Sequence, residues 1–123
     1  MAVNYKCILA YGLNNEQIEK IKKRRIRIKI ITKNEAGMKI NDILVNNIYE
    51  KKIYAELPDN EIALIFNGYN DKELRSEIKF IRSFVQGGVL AVVTSQSEGW
   101  TAKYLIEHLL EEREFYNNQN KGE

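Results

Sequence analysis

Four short apolar runs bounded by turn residues, Tyr5–Tyr11, Ile26–Thr32, Ile62–Asn67 and Val89–Thr94, constrain this chain more than any other feature. Each has the length of a strand and falls short of an ordinary helix. Between and after them come segments with apolar residues at helical spacing: Asn15–Arg25, Met38–Lys52, Asp71–Gln86 and Ala102–Tyr116. Strands that alternate with helices of this length predict βαβ units, in which the helix carries the chain back and successive strands run parallel. The second helix is the least favoured, because Asn46, Asn47 and the β-branched residues near them are poor helix formers.

The character of each run orders the sheet. Ile26-Arg27-Ile28-Lys29-Ile30 alternates apolar with basic residues, which gives one wet face and suits an edge. Cys7-Ile8-Leu9-Ala10 and Ile62-Ala63-Leu64-Ile65-Phe66 are apolar on both faces, as central strands are. With right-handed crossovers the order becomes 2-1-3-4. The expected fold is therefore a three-layer α/β domain with a four-stranded, mainly parallel sheet. The fourth strand, Val89-Leu90-Ala91-Val92-Val93, forms the other edge and carries no charge. An unguarded apolar edge invites pairing with another chain. A homodimer through Val89–Thr94 or the adjacent helix is the expected partnership.

The same order reads as βαβα twice, over about 3–52 and 60–116, with 117–123 as a flexible tail. Tyr11-Gly12-Leu13-Asn14-Asn15 is echoed by Asn67-Gly68-Tyr69-Asn70-Asp71 at an offset of 56, and Thr32 and Gly37 by Thr94 and Gly99 at 62. Local physics explains the echo. With Asn14 and Asn70 as N-caps, Gln17 and Glu73 fall at the third helical position and complete capping boxes. Leu13 and Ile18, and Tyr69 and Leu74, have the spacing of hydrophobic staples. Trp100, the one tryptophan, stands in that relation to Leu105 if Thr101 caps the last helix, so it reads first as a fastener.

Composition narrows the classes. A chain of 123 residues, 44% apolar and 29% charged, suits one ordinary domain. Its longest apolar runs are far below the ~20 residues that cross a bilayer, and no signal peptide is legible, so no membrane association is expected. One cysteine cannot form an internal disulfide, and cytoplasmic residence is the default. One His, one Cys and no paired spacing give no zinc set, and no metal or other cofactor is indicated. Phosphate-binding glycine motifs and the nucleophile elbow are missing from the sequence.

In a parallel sheet of order 2-1-3-4 the switch point would lie between strands one and three, and ligands favour that crevice. Gly12–Asn15 and Gly68–Asp71 would face each other there. Asn14, Asn15, Asn70 and Asp71 are thus candidates for holding a small anion, although Asn serves equally as a cap and Asp71 repels anions. Thr94, Ser95 and Ser97, ahead of a helix, form a weaker phosphate candidate. Lys20–Lys29 packs seven basic residues into ten. Lys22, Lys23, Arg24 and Arg25 are the candidates for nucleic-acid phosphates. The alternative is a helix end complemented by cations, followed by a guarded edge strand. His108 lies on the stripe of Trp100 and Tyr104 with no nucleophile set against it, and Cys7 reads as a buried thiol. No catalytic residue is indicated.

Thr94, Trp100, Leu105, Leu109 and Glu112 form T-x5-W-x4-L-x3-L-x2-E, preceded by Gly68-Tyr69-Asn70-Asp71-Lys72-Glu73-Leu74. Over about residues 62–114 this resembles a small prokaryotic domain-of-unknown-function family, number 3783. The resemblance implies no activity, cofactor or catalytic residue. The function expected from the chain is binding or association without catalysis of its own. The alternatives are ligand binding or an enzyme at the crevice, and nucleic-acid binding through Lys20–Lys29.

Overall fold

Each apolar run forms the strand expected of it, trimmed at its ends. In the computed structural model, which describes residues 5–45 and 52–121, the order is β1 (Cys7–Tyr11), α1 (Asn15–Lys23), β2 (Ile28–Ile30), α2 (Ile40–Val45), β3 (Ala63–Asn67), α3 (Asp71–Arg82), β4 (Val89–Val92) and α4 (Ala102–Lys121). A single 3₁₀ turn, Ser97–Gly99, precedes α4. The expected second helix, Met38–Lys52, is described only as α2, since 46–51 lie outside the described residues. α4 runs on through residues 117–121, which were expected to be tail.

The four strands form one sheet in the order β2-β1-β3-β4. β1 runs parallel to β2, and β3 parallel to β4, as their helical crossovers require. The centre departs from the expectation of parallel neighbours: β1 and β3 are antiparallel, with Cys7 opposite Asn67 and Tyr11 opposite Ala63. The reason lies in the connector before β3. Ala55 donates its N–H to the Lys33 carbonyl at 3.0 Å, and Gly37 donates to Ile53 at 2.9 Å. The Tyr11 hydroxyl donates to the Pro58 carbonyl at 2.7 Å. These bonds hold the connector at the end of the sheet where β1 and β2 finish. β3 starts at that end, so it runs the other way.

Alternation along the strands divides the core into two layers. Cys7, Leu9, Ala63 and Ile65 face a cluster that includes Ile40, Ile43 and Leu44 of α2 and Ala102, Leu105 and Ile106 of α4. Ile8, Ala10, Leu64 and Phe66 face Ile21 of α1, Ile81 of α3 and Val85. The sheet is thus covered on both sides, three layers deep. Each fully buried Ile or Leu contributes about 1.5–3 kcal/mol, so the two central strands hold both layers in place.

The central pairing is reciprocal. Leu9 lies opposite Ile65, its counterpart at the offset of 56. Beyond the sheet, Lys39 bridges Thr101, its counterpart at the offset of 62. Ile40 donates to the Trp100 carbonyl at 2.8 Å, and Ala102 donates to that of Met38 at 2.9 Å.

Candidate functional site

Asn14 and Asn70 do what their sequence neighbourhood dictates. Each side chain accepts the backbone N–H three residues on, Gln17 and Glu73 respectively, at 2.8 Å. The Gln17 and Glu73 side chains accept the cap N–H in return at 2.9 and 3.1 Å. Both capping boxes are therefore complete, and both side-chain oxygens are occupied. Asn15 and Asp71 are exposed first-turn residues of α1 and α3.

The crevice expected between these corners does not form. Asn14 follows Tyr11 and Asn70 follows Asn67, and the antiparallel centre puts Tyr11 beside Ala63 and Asn67 beside Cys7. The two corners stand at opposite ends of the sheet, each beside its own hollow. Gly12 and Leu13 line a shallow one of about 480 Å³ with Thr32, Lys33 and Tyr54. A ligand cannot touch both corners at once, and the parallel centre that the shared crevice needs is replaced by an antiparallel one.

The Thr94–Trp100 loop satisfies itself. Thr94 N–H donates to Ser97 Oγ at 2.9 Å, and Ser97 N–H donates to Thr94 Oγ1 at 3.1 Å. Ser97 is buried, while Ser95 is exposed at the tip. The first half builds the same turn with a charge: Thr32 N–H and hydroxyl donate to Glu35 Oε1 at 2.8 and 2.9 Å. Burial pushes the Glu35 carboxyl up, but these donors and the Lys52 ammonium, 3.2 Å from Oε2, hold it below its ordinary value.

Trp100 fastens. It packs against the α2/α4 cluster and meets the rings of Tyr104 and His108 edge-on at 4.8 and 5.4 Å. Thr101 Oγ1 accepts the Tyr104 N–H at 3.0 Å and caps α4. His108 also stacks on Tyr104 and lies 3.8 Å from Glu112. Cys7 is fully buried, and burial raises its thiol against the opposing pull of Lys29 and Arg27.

The basic run is mostly exposed, and several of its cations also have partners within the chain. Lys20 lies over the Phe84 ring, and Arg24 lies over Phe80 while pairing with Glu77 at 3.1 Å. Arg27 and Lys29 both lie over Tyr5. Lys29 also donates to the Ile43 and Leu44 carbonyls at the end of α2, at 2.9 and 3.1 Å. Lys22 and Lys23 remain exposed on α1. Four of the seven cations, Lys20, Arg24, Arg27 and Lys29, thus have a ring, carboxylate or carbonyl partner within the chain.

One grouping escaped the sequence. A cleft of about 540 Å³ lies between the turn joining α1 to β2 and the first turns of α3, roofed by Tyr5 and Tyr69. Its residues come from three separate places in the chain, and only the antiparallel centre brings β1's start beside the Asn70 corner. No single segment of the sequence marks the grouping; Arg25 in its lining holds a left-handed backbone, φ +61°. Burial, aided by Glu77, Cys7 and Glu73, raises the Tyr69 hydroxyl to about 12. It therefore stays a neutral donor.

Among the described residues no group of His, Cys, Asp and Glu could hold a metal ion, and no helix is long and apolar enough to cross a membrane. No curated protein and no solved structure matches the chain. Residues 63–116, from the start of β3 into α4, match the model of the family described as Domain of unknown function (DUF3783).

Proposed function

We propose that this protein acts by association in the cytoplasm, two copies joining through their β4 edges into one continuous sheet, with no catalysis of its own. The observation that carries the reading is the contrast between the two edges. β2 is guarded by Arg27 and Lys29, both held in place over Tyr5. β4 has no charged residue, and among the described residues no strand lies beside its outer side. Val92 is 42% exposed there, next to a small apolar groove formed by Phe66, Leu74, Ile78 and Leu90. A symmetric pair would place β4 antiparallel to its copy, satisfying the free backbone groups and covering the groove. The adjacent α4 adds exposed Tyr104, Phe115 and Tyr116 to the same half of the chain.

The tandem reading, two βαβα units in one chain, is supported by the reciprocal pairing of Leu9 with Ile65 and of Lys39 with Thr101. Light scattering with and without Val92→Lys tests the association. The native chain is expected to have the mass of a dimer at micromolar concentration, and the variant that of a monomer with an unchanged circular dichroism spectrum. A native chain that stays monomeric at these concentrations defeats the proposal.

A further inference from the structure

We propose that the cleft between the α1–β2 turn and the start of α3 binds a small molecule through a dianionic phosphate group. Arg25, Arg27 and Lys72 line it, and among the described residues no carboxylate lies within ion-pair distance of any of the three. Both carboxylates of the lining are already matched. Glu73 pairs with Lys6, and Glu77 pairs through Oε1 with Arg24. The other Glu77 oxygen is shut off from solvent and has no hydrogen-bond partner among the described residues, so the Arg24 pairing is what offsets this carboxylate beside the cleft. The lining carries four cations, Lys6, Arg25, Arg27 and Lys72, against two carboxylates, an excess of two positive charges in a concave space, with Tyr69 and Ser76 in the same lining as hydroxyl-bearing neutral donors. A phosphate dianion offers several acceptors and two charges, and guanidinium groups meet it with paired donors.

Arg25 holds a left-handed backbone, φ +61°, that ordinary side chains avoid. The corresponding turn after α3 meets the same need with Gly87 at φ +73°. An arginine at this position accepts strain that glycine would remove, and the residue lines the cleft.

This feature also makes a clean test, because Arg25→Gly removes the cation while relieving the backbone. The full chain is titrated with inorganic phosphate at constant ionic strength and followed by amide NMR shifts. Succinate and a short single-stranded oligonucleotide serve as separate arms. Saturable shifts confined to residues 5–6, 25–27 and 69–77 are expected, with phosphate ahead of succinate. Arg25→Gly and Lys72→Ala should each weaken phosphate binding about tenfold, as expected for loss of a charged hydrogen bond. Lys22→Ala, outside the cleft, should leave it unchanged. The proposal is overturned if phosphate produces no saturable shift, or if the shift is indifferent to Arg25→Gly and Lys72→Ala. Oligonucleotide binding that depends on Lys22 and Lys23 but not on Arg25 or Lys72 overturns it too, moving the site to the exposed face of α1.

Discussion

Asn14 and Asn70 carry the same local duty at positions that do not communicate. Replacing either with Ala removes one cap and should cost about 1 kcal/mol. Because the antiparallel centre sets them at opposite ends of the sheet, the double variant should lose the sum of the two costs to within about 0.5 kcal/mol. Denaturant midpoints measure this, and marked non-additivity would mean that the corners do touch. The two echoing glycines are unlike. A Cβ on Gly37 would stand 2.5 Å from Ile53 Cγ2 and 3.0 Å from the Ile53 carbonyl, whereas one on Gly99 would meet nothing within 4 Å. Gly37→Ala should therefore destabilise by about 1–3 kcal/mol, as overpacked sites do. Gly99→Ala should stay within about 0.5 kcal/mol of the native chain in the same thermal melts.

Among the elements, the turn from Thr32 to Met38 has an electrostatic dependence that its partner from Thr94 to Trp100 lacks. Glu35 is buried with a carboxyl held below 4.5, so its charged form is favoured by folding. The stability it adds is fully present above 4.5, the value it returns to on unfolding, and is lost as pH falls through its lower folded value. Glu35→Gln keeps an acceptor for Thr32 but removes the charge that faces Lys52. Melting temperature plotted against pH should fall more steeply below 4.5 for the native chain than for the variant, and parallel curves would refute the assignment. The basic run shows how an element's neighbours decide its meaning. Read along the chain, seven cations in ten residues suggest phosphates. Packed, Arg24 meets Phe80 and Glu77 of α3, and Lys29 reaches the end of α2, contacts with residues far away in the chain.

At the scale of the whole molecule, dimerisation through β4 predicts that stability depends on protein concentration. A dimer that dissociates on unfolding gains stability by mass action, so the melting temperature should rise across a hundredfold concentration series. Val92→Lys should remove that dependence, and a native chain whose melting temperature ignores concentration would speak against it. The proposed cleft belongs to this scale as well, since its walls come from β1's start, the α1–β2 turn and α3.

Strand and helix identities, the capping boxes, the sheet order and the two kinds of edge were all legible in the sequence. All but the sheet order depend on residues within a few positions of one another, where spacing, side-chain shape and hydrogen-bonding capacity act directly, and the order follows from the polarity of each run. Strand direction at the centre was not legible, because it depends on where the connector between β2 and β3 is held. That is settled by bonds such as Tyr11 to Pro58, between residues 47 positions apart. One reversed strand separated the asparagine corners and brought Tyr5, Arg25 and Lys72 around a single hollow. Local chemistry chose the pieces, and long-range packing decided which of them meet.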